Sequence, residues 1–404
     1  MEKIDNIVVH LGHAKTGTTT IQNNLFKNKE TIISKYKCLY PGDEPNHYHL
    51  QTAFSTTPAD LVQVQRRGVS NHVDAAAIGR DFLEGFLDEI REYSPQRAII
   101  SSEYFASMKH EELIKMDEFL SSISDNVRYV LYLRDPWSGS TSSIQQEVMT
   151  GRVKGSTNFY YAGNIGVARH FHEIFDERLE IYPYVSSGAE RTDSYSHFLR
   201  LVDIDQADVI SSSTKDNMAV DYITACILSE LNLIDSPISE NGAYEVGPAR
   251  DAVRSALIGA SSGKRYFPSN RAINAISAGA AADLDWLSSC RPDIHRVFLD
   301  VLENADHSEG ITGIGIEEVS SAEATHQLYV VCKQLAETVA WVRRKQPPQS
   351  KDVGQGHSSS ESAWRGISIR LSYLLHQGLG QLPIATDQFR RRFARAAERR
   401  RMDF

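Results

Sequence analysis

Short apolar runs alternate with stretches of helical spacing over roughly the first 185 residues. Ile7, Val8, Val9 and Leu11 make the first run, and Ile21 and Leu25 open a helical stretch after it. Lys37 to Tyr40 is a second run, closed by Pro41-Gly42 and followed by a polar segment with Asn46, His47, His49 and Thr52. Ile78, Phe82, Phe86 and Ile90 then recur with the period of one helix face. Ala98-Ile99-Ile100 reads as a strand ending at Ser101-Ser102-Glu103, and Leu113, Met116, Phe119 and Leu120 read as another helix. Val127 to Leu133 is the clearest strand in the chain, and Leu179 to Val185 is a further one. Alternation of this kind predicts an α/β fold, a parallel sheet flanked by helices. Such sheets bind ligands beyond the carboxyl ends of their strands.

The pattern changes after about residue 190. From 191 to 345 it is mainly helical, with Tyr222 to Leu233, Asp251 to Leu257 and Ala324 to Val342 as the helical runs. Residues 346–361 are polar and rich in Pro, Ser and Gly, the composition of a flexible linker. Residues 362–404 carry a short amphipathic stretch (Trp364, Ile367, Leu371, Leu374) and an arginine-dense tail with seven Arg from 390 to 401. The expected organisation is therefore a core over 1–190, a helical part, a linker and a tail. Such a tail is solvated in most proteins, and it can also touch an anionic surface.

A chain of 404 residues with 41% hydrophobic and 24% charged residues has the make-up of a globular protein. It has no apolar run long enough to span a membrane and no basic-then-apolar leader. Cys38, Cys226, Cys290 and Cys332 are scattered, which fits a reducing compartment and argues against structural zinc. These features predict a cytoplasmic protein. A net charge of −9 argues against a broad nucleic-acid surface, though it leaves room for a basic pocket.

The candidate chemistry begins at Gly12-His13-Ala14-Lys15-Thr16-Gly17-Thr18-Thr19. A strand, a glycine turn and a helix start aim backbone N–H groups and the positive end of a helix dipole at one point, which suits an anion. The spacing of Gly12 and Gly17 is that of an ATP-binding P-loop, but Thr18 stands where that loop has its lysine. The lysine here, Lys15, lies inside the loop. A second element follows the clearest strand: Arg134-Asp135-Pro136, then Trp137 and a serine-rich run that includes Ser142. A guanidinium and a hydroxyl on rigid elements make a phosphate clamp.

Together the two elements resemble the PAPS-dependent sulfotransferases, in particular the bacterial carbohydrate-type members. Lys15-Thr16-Gly17-Thr18-Thr19 is similar to the family's loop for the 5′-phosphosulfate, and Arg134 with Ser142 to its clamp for the 3′-phosphate. The resemblance extends over roughly residues 4 to 185, and more weakly to Phe267-Pro268-Ser269-Asn270. It implies a P-loop-type sheet and transfer of a sulfonate from 3′-phosphoadenosine 5′-phosphosulfate (PAPS) to a hydroxyl, leaving PAP. It also implies an acceptor that is a saccharide or glycoconjugate, and no metal. Lys15 would supply charge at the leaving oxygen, and amides of Thr16 to Thr19 would hold the 5′-phosphate, with the Thr18 and Thr19 hydroxyls as further donors. The base would be Glu103, with His47 and His49 as rivals.

Gly263-Lys264-Arg265 reads as a surface turn, or as a late basic loop over the 3′-phosphate. The aromatic and polar residues Tyr48, Phe159, Tyr160, Tyr161 and Asn164 suit an acceptor pocket. Two other readings stand beside this one: a P-loop kinase or NTPase, and a PAP-binding protein without turnover. Against the kinase, Leu133 leads into Arg134 where a Walker-B carboxylate would be expected.

Overall fold

The computed structural model describes residues 3–13, 15–185, 192–210, 220–234, 254–255, 257–258, 261, 266–304 and 310–314. In chain order the strands are β1 (Asn6–Leu11), β2 (Cys38–Leu39), β3 (Arg97–Ser102), β4 (Val127–Arg134), β5 (Thr157–Asn158), β6 (Leu179–Tyr184) and β7 (Gly313–Ile314). The helices up to β4 are α1 (Thr18–Lys27), α2 (Lys29–Tyr36), α3 (Tyr48–Phe54), α4 (Val62–Gln65), α5 (His72–Tyr93) and α6 (His110–Ile123). They continue with α7 (Pro136–Thr150), α8 (Asn164–Phe175), α9 (Ser194–Leu201), α10 (Tyr222–Ile234), α11 (Asn270–Cys290) and α12 (Pro292–Glu303). The linker at 346–361, the tail at 362–404, the run Ala324 to Val342 and the basic loop at 263–265 lie outside the described residues.

The chain divides into two compact units. The first takes Met1–Ile144, Phe159–Met218 and Phe267–Thr312, and the second takes Gln145–Asn158, Ala219–Tyr266 and Gly313–Phe404. In the second, β5 and β7 pair antiparallel, Asn232 Nδ2 donates to the carbonyls of Val148 and Val153, and Asp221 Oδ1 accepts from Thr224 N at the start of α10.

The first unit is built on a five-stranded parallel sheet of order β2-β3-β1-β4-β6. Parallel strands need crossovers, and the helices that supply them cover both faces, so the central strands are buried over most of their length. The alternation of side chains along each strand sorts the faces. Val8, Ile99, Val130 and Tyr132 pack with Ile21 and Leu25 of α1, Ile32 of α2, and Tyr195, Phe198 and Leu199 of α9. Tyr129, one residue out of phase, faces the other way: its ring stacks on Phe175 of α8 and its hydroxyl donates to Asp117 of α6. Chain leaving β1 thus covers one face while chain leaving β4 covers the other. Neighbouring strands with diverging connections leave a crevice at their carboxyl ends.

One segment departs from the sequence expectation. The polar segment around His49 and Thr52, where the sequence marks no helix, forms helix α3, with Tyr48 to Thr52 buried. Gln51 finds its partners in other elements: its Nε2 donates to Ser107 Oγ and its Oε1 accepts from Gln63 Nε2. Satisfied in this way, the Gln51 amide is buried without the usual desolvation cost.

Candidate functional site

The loop after β1 is a turn with two left-handed residues, Lys15 (φ 65°) and Gly17 (φ 85°). Gly17 accepts that φ without strain, whereas Lys15 adopts it at a cost that packing must cover. Left-handed residues alternating with right-handed ones turn successive N–H groups to one side, a concavity suited to anions. Gly17 also leaves no space for a side chain, since a Cβ there would lie 2.2 Å from Ser194 Oγ. At Gly12 a Cβ would meet Thr18 Cγ2 at 2.5 Å and the Glu103 backbone at 3.0 Å. That closeness brings the end of β3 against the loop, where Gly12 N donates to Ser102 O at 2.9 Å.

The hydroxyls of Thr16 and Thr18 both donate to His13 O, at 2.8 and 3.2 Å. They brace the loop from within instead of lining its mouth. Helix α1 has no side-chain cap and no acidic residue in its first turn, so its dipole end is left for an anion.

Arg134 is on the parity of Val130 and Tyr132, which turns it to the α1 face. Its Nη1 donates to Lys15 O at 3.5 Å, and its Nε donates to Ser138 Oγ at 2.9 Å. Ser138 is itself tied to Asp135, whose carboxylate accepts from Ser138 N at 2.7 Å and from its hydroxyl. Asp135 so acts as N-cap of α7, with Pro136 at the first helical position. Asn164 Nδ2 donates to Arg134 O, and Gly139 gives Asn164 its room. Ser142 is half-buried one helical turn beyond Ser138, on the same face of α7.

Three ionisable groups share this end of the sheet. Burial pushes the Lys15 ammonium below its ordinary pKa and Arg134 lowers it further, while Glu103 acts to raise it. Burial pushes the Glu103 carboxyl above the ordinary carboxylate range, against the opposing pull of Lys15 and Arg66. Glu103 is nonetheless accessible to solvent. Such a placement suits a proton acceptor.

The two candidate histidines are both buried in the fold. His47 is 1% exposed, its Nδ1 accepts from Ser101 N at 2.9 Å, and its Nε2 donates to Pro41 O at 2.9 Å. Both ring nitrogens are engaged, and burial lowers its pKa to about 3. His49 stacks between Tyr48 and Phe82, and burial lowers its pKa also. Tyr161 and Asn164 are taken up in the fold as well: Tyr161 OH accepts from the amides of Ile165 and Gly166 and donates to Asp283.

Sequence reasoning missed Ser138. Ser138 follows Arg134 by four residues, a spacing that could have flagged it once α7 was known to start at Pro136. Among the described residues no group of three or more His, Cys, Asp and Glu is arranged to hold a metal, and no helix is long and apolar enough to cross a membrane.

No protein-family model matches this chain, and no curated protein matches it. Among solved structures, the chain is similar to the crystal structure of a sulfotransferase from Alicyclobacillus acidocaldarius. The identity is 12% over 58% of this chain and 95% of that one, with a TM-score of 0.31.

Proposed function

We propose that this chain is a sulfotransferase that moves the sulfonate of PAPS to an acceptor hydroxyl carried by a saccharide or glycoconjugate. The observation that carries the reading is the meeting of the two anion-binding elements. Lys15, on the loop after β1, and Arg134, at the end of β4, converge with Glu103 between diverging strand connections. A donor with phosphates at both its 5′ and 3′ positions needs two cationic points of this kind.

PAPS would supply an activated sulfonate, the bond to be broken being that between sulfur and the bridging phosphate oxygen. Amides of Thr16 to Thr19 would hold the 5′-phosphate at the head of α1. Lys15 would stabilise the charge that builds on the bridging oxygen in a loose, in-line transfer. Arg134, steadied by Ser138 and Asn164, would bind the 3′-phosphate together with Ser142. The acceptor oxygen forms the new bond to sulfur, its proton passes to the Glu103 carboxylate, and the electron pair of the broken bond leaves with PAP. Glu103 suits this better than His47, whose Nδ1 would have to give up the hydrogen bond it accepts from Ser101 N to take a proton.

The test is transfer from radiolabelled PAPS to a panel of sugars and glycosides, run beside γ-labelled ATP. Label transferred from PAPS and none from ATP is the expected result. Phosphoryl transfer from ATP would overturn the assignment.

A further inference from the structure

A chain of hydrogen bonds starts and ends on the backbone at either side of Glu103. Gln22 Nε2, on α1, donates to Ser101 O at 3.3 Å. Gln22 Oε1 accepts from Asn46 Nδ2 at 3.5 Å, and Asn46 Oδ1 accepts from Ser102 Oγ at 2.9 Å. The Ser102 hydroxyl in turn accepts from Tyr104 N at 3.2 Å. The two ends set the direction of every link. A backbone carbonyl can only accept and a backbone N–H can only donate. Ser101 O therefore turns the Gln22 amino group toward itself, and Tyr104 N leaves the Ser102 proton for Asn46. Both carboxamides are oriented by this, and each donor of the chain meets an acceptor.

Asn46 joins α1 to the end of β3 and belongs to neither. It is firmly mounted, because the residues on both sides of it are tied down. Pro45 O accepts from the Tyr40 hydroxyl. His47 N donates to Ser101 O at 3.0 Å, and His47 Nδ1 accepts from Ser101 N at 2.9 Å. Asn46 itself is half-buried, whereas the Ser102 hydroxyl it holds belongs to a fully buried residue. Gln22 lies one helical turn along α1 from Thr18. The helix whose head would take the donor's 5′-phosphate is thus linked, through Asn46, to the turn that presents the Glu103 carboxylate.

We infer that Asn46 is a positioning residue for the base: acting through Ser102, it holds the turn that carries Glu103 in register with α1. The inference rests on the sulfotransferase reading above. The charged groups that act on Glu103 are Lys15 and Arg66. Asn46 adds no charge to them, so its effect is one of geometry. Giving position 46 a charge then reads how closely it stands to the carboxyl.

The experiment follows the Glu103 carboxyl by NMR titration of the full chain, labelled with carbon-13 at its glutamate carboxyls, with Glu103→Gln to identify the signal. PAP binding by calorimetry, and transfer from labelled PAPS to p-nitrophenyl β-galactoside and p-nitrophenyl β-glucuronide, are measured on the same proteins. Asn46→Asp keeps an acceptor for Ser102 and adds a negative charge beside the turn, so Glu103 should titrate about one pH unit higher than in the wild type. Asn46→Ala frees the turn. Since burial is what raises the Glu103 pKa, the carboxyl should then titrate closer to the ordinary carboxylate range. In Asn46→Ala kcat should fall by about ten- to a hundredfold, the scale of a misplaced catalytic group, while the Kd for PAP is unchanged. Ser102→Ala should match it, and the double variant should be no worse than either, because both remove one brace. A Glu103 titration that moves in neither Asn46 variant overturns the inference. So does an undiminished kcat in Asn46→Ala, or losses in the two alanine variants that simply add. The titration needs no acceptor, so it decides the matter even where neither glycoside is used. A wild-type chain that binds no PAP is a distinct outcome: it removes the sulfotransferase reading, and with it the base that Asn46 would position.

Discussion

Arg134 and Lys15 stand 119 residues apart in the chain, and the guanidinium of one donates to the backbone carbonyl of the other at 3.5 Å. The bond ties the end of β4 to the turn after β1, two strands that are neighbours in the sheet. It fixes a strained backbone position, the left-handed Lys15, with a group that carries its own positive charge. Two cations close together in a partly buried site repel one another, which is why Arg134 depresses the Lys15 pKa. An arrangement that costs stability when empty and is relieved by an anion is a preorganised anion site.

Arg134→Ala should weaken PAP binding by about 1.5–3 kcal/mol, the worth of a charged hydrogen bond, or roughly ten- to a hundredfold in Kd. Calorimetric titration of the folded variant measures it. Unaltered affinity would mean that the 3′-phosphate binds elsewhere.

Lys15→Ala should divide differently. If Lys15 acts on charge that develops in the transition state, its loss lowers kcat far more than it raises the Kd for PAP. Equal losses in both would make it a ground-state binding residue only.

Glu103→Gln should abolish transfer and leave PAP bound. It should also stabilise the fold at neutral pH. Because the folded-state pKa of Glu103 is raised, the carboxyl favours folding below its ordinary pKa, and that contribution is lost as pH rises through the raised value. The variant's Tm should therefore exceed that of the wild type at pH 7, with the gap closing toward pH 4. A Tm lower than wild type at pH 7 would show that Glu103 is held by stabilising partners instead.

His47→Ala should act on stability and not on chemistry. Removing the ring leaves the buried Ser101 amide and Pro41 carbonyl without their partner, a cost of about 1–3 kcal/mol. Urea denaturation reads this directly. An inactive His47→Ala with full stability would return the histidine to the list of bases.

Acid should unfold the protein through its buried histidines. Burial lowers the pKa of both His10 and His47 to about 3, so each stays neutral in the fold while the unfolded chain takes up a proton below about 6.5. Stability is then full above that value and falls by up to about 1.4 kcal/mol per pH unit for each histidine as pH drops toward 3. Denaturation midpoints at pH 7, 6 and 5 should fall less steeply in His47→Gln than in the wild type.

Much of this was legible in the sequence because it is local. The glycines at 12 and 17 mark the turn, the apolar run at 127–133 marks the strand, and strand alternation then carries Arg134 to the face where Lys15 waits. What stayed hidden depends on partners distant in sequence. Helix α3 reads as a polar segment until Gln63 and Ser107 are seen to satisfy Gln51. His47 reads as a rival to Glu103 for the base, and only the fold shows Pro41 O and Ser101 N on its two nitrogens. Ser138 was passed over for Ser142 because spacing alone does not say which hydroxyl the guanidinium takes in the absence of ligand.

The central claim is a site for a nucleotide with phosphates at two positions, and calorimetric titration with PAP, ATP and AMP tests it most directly. The account predicts micromolar affinity for PAP with negligible heat from ATP and AMP. A preference for ATP, or no binding of any of the three, would contradict it.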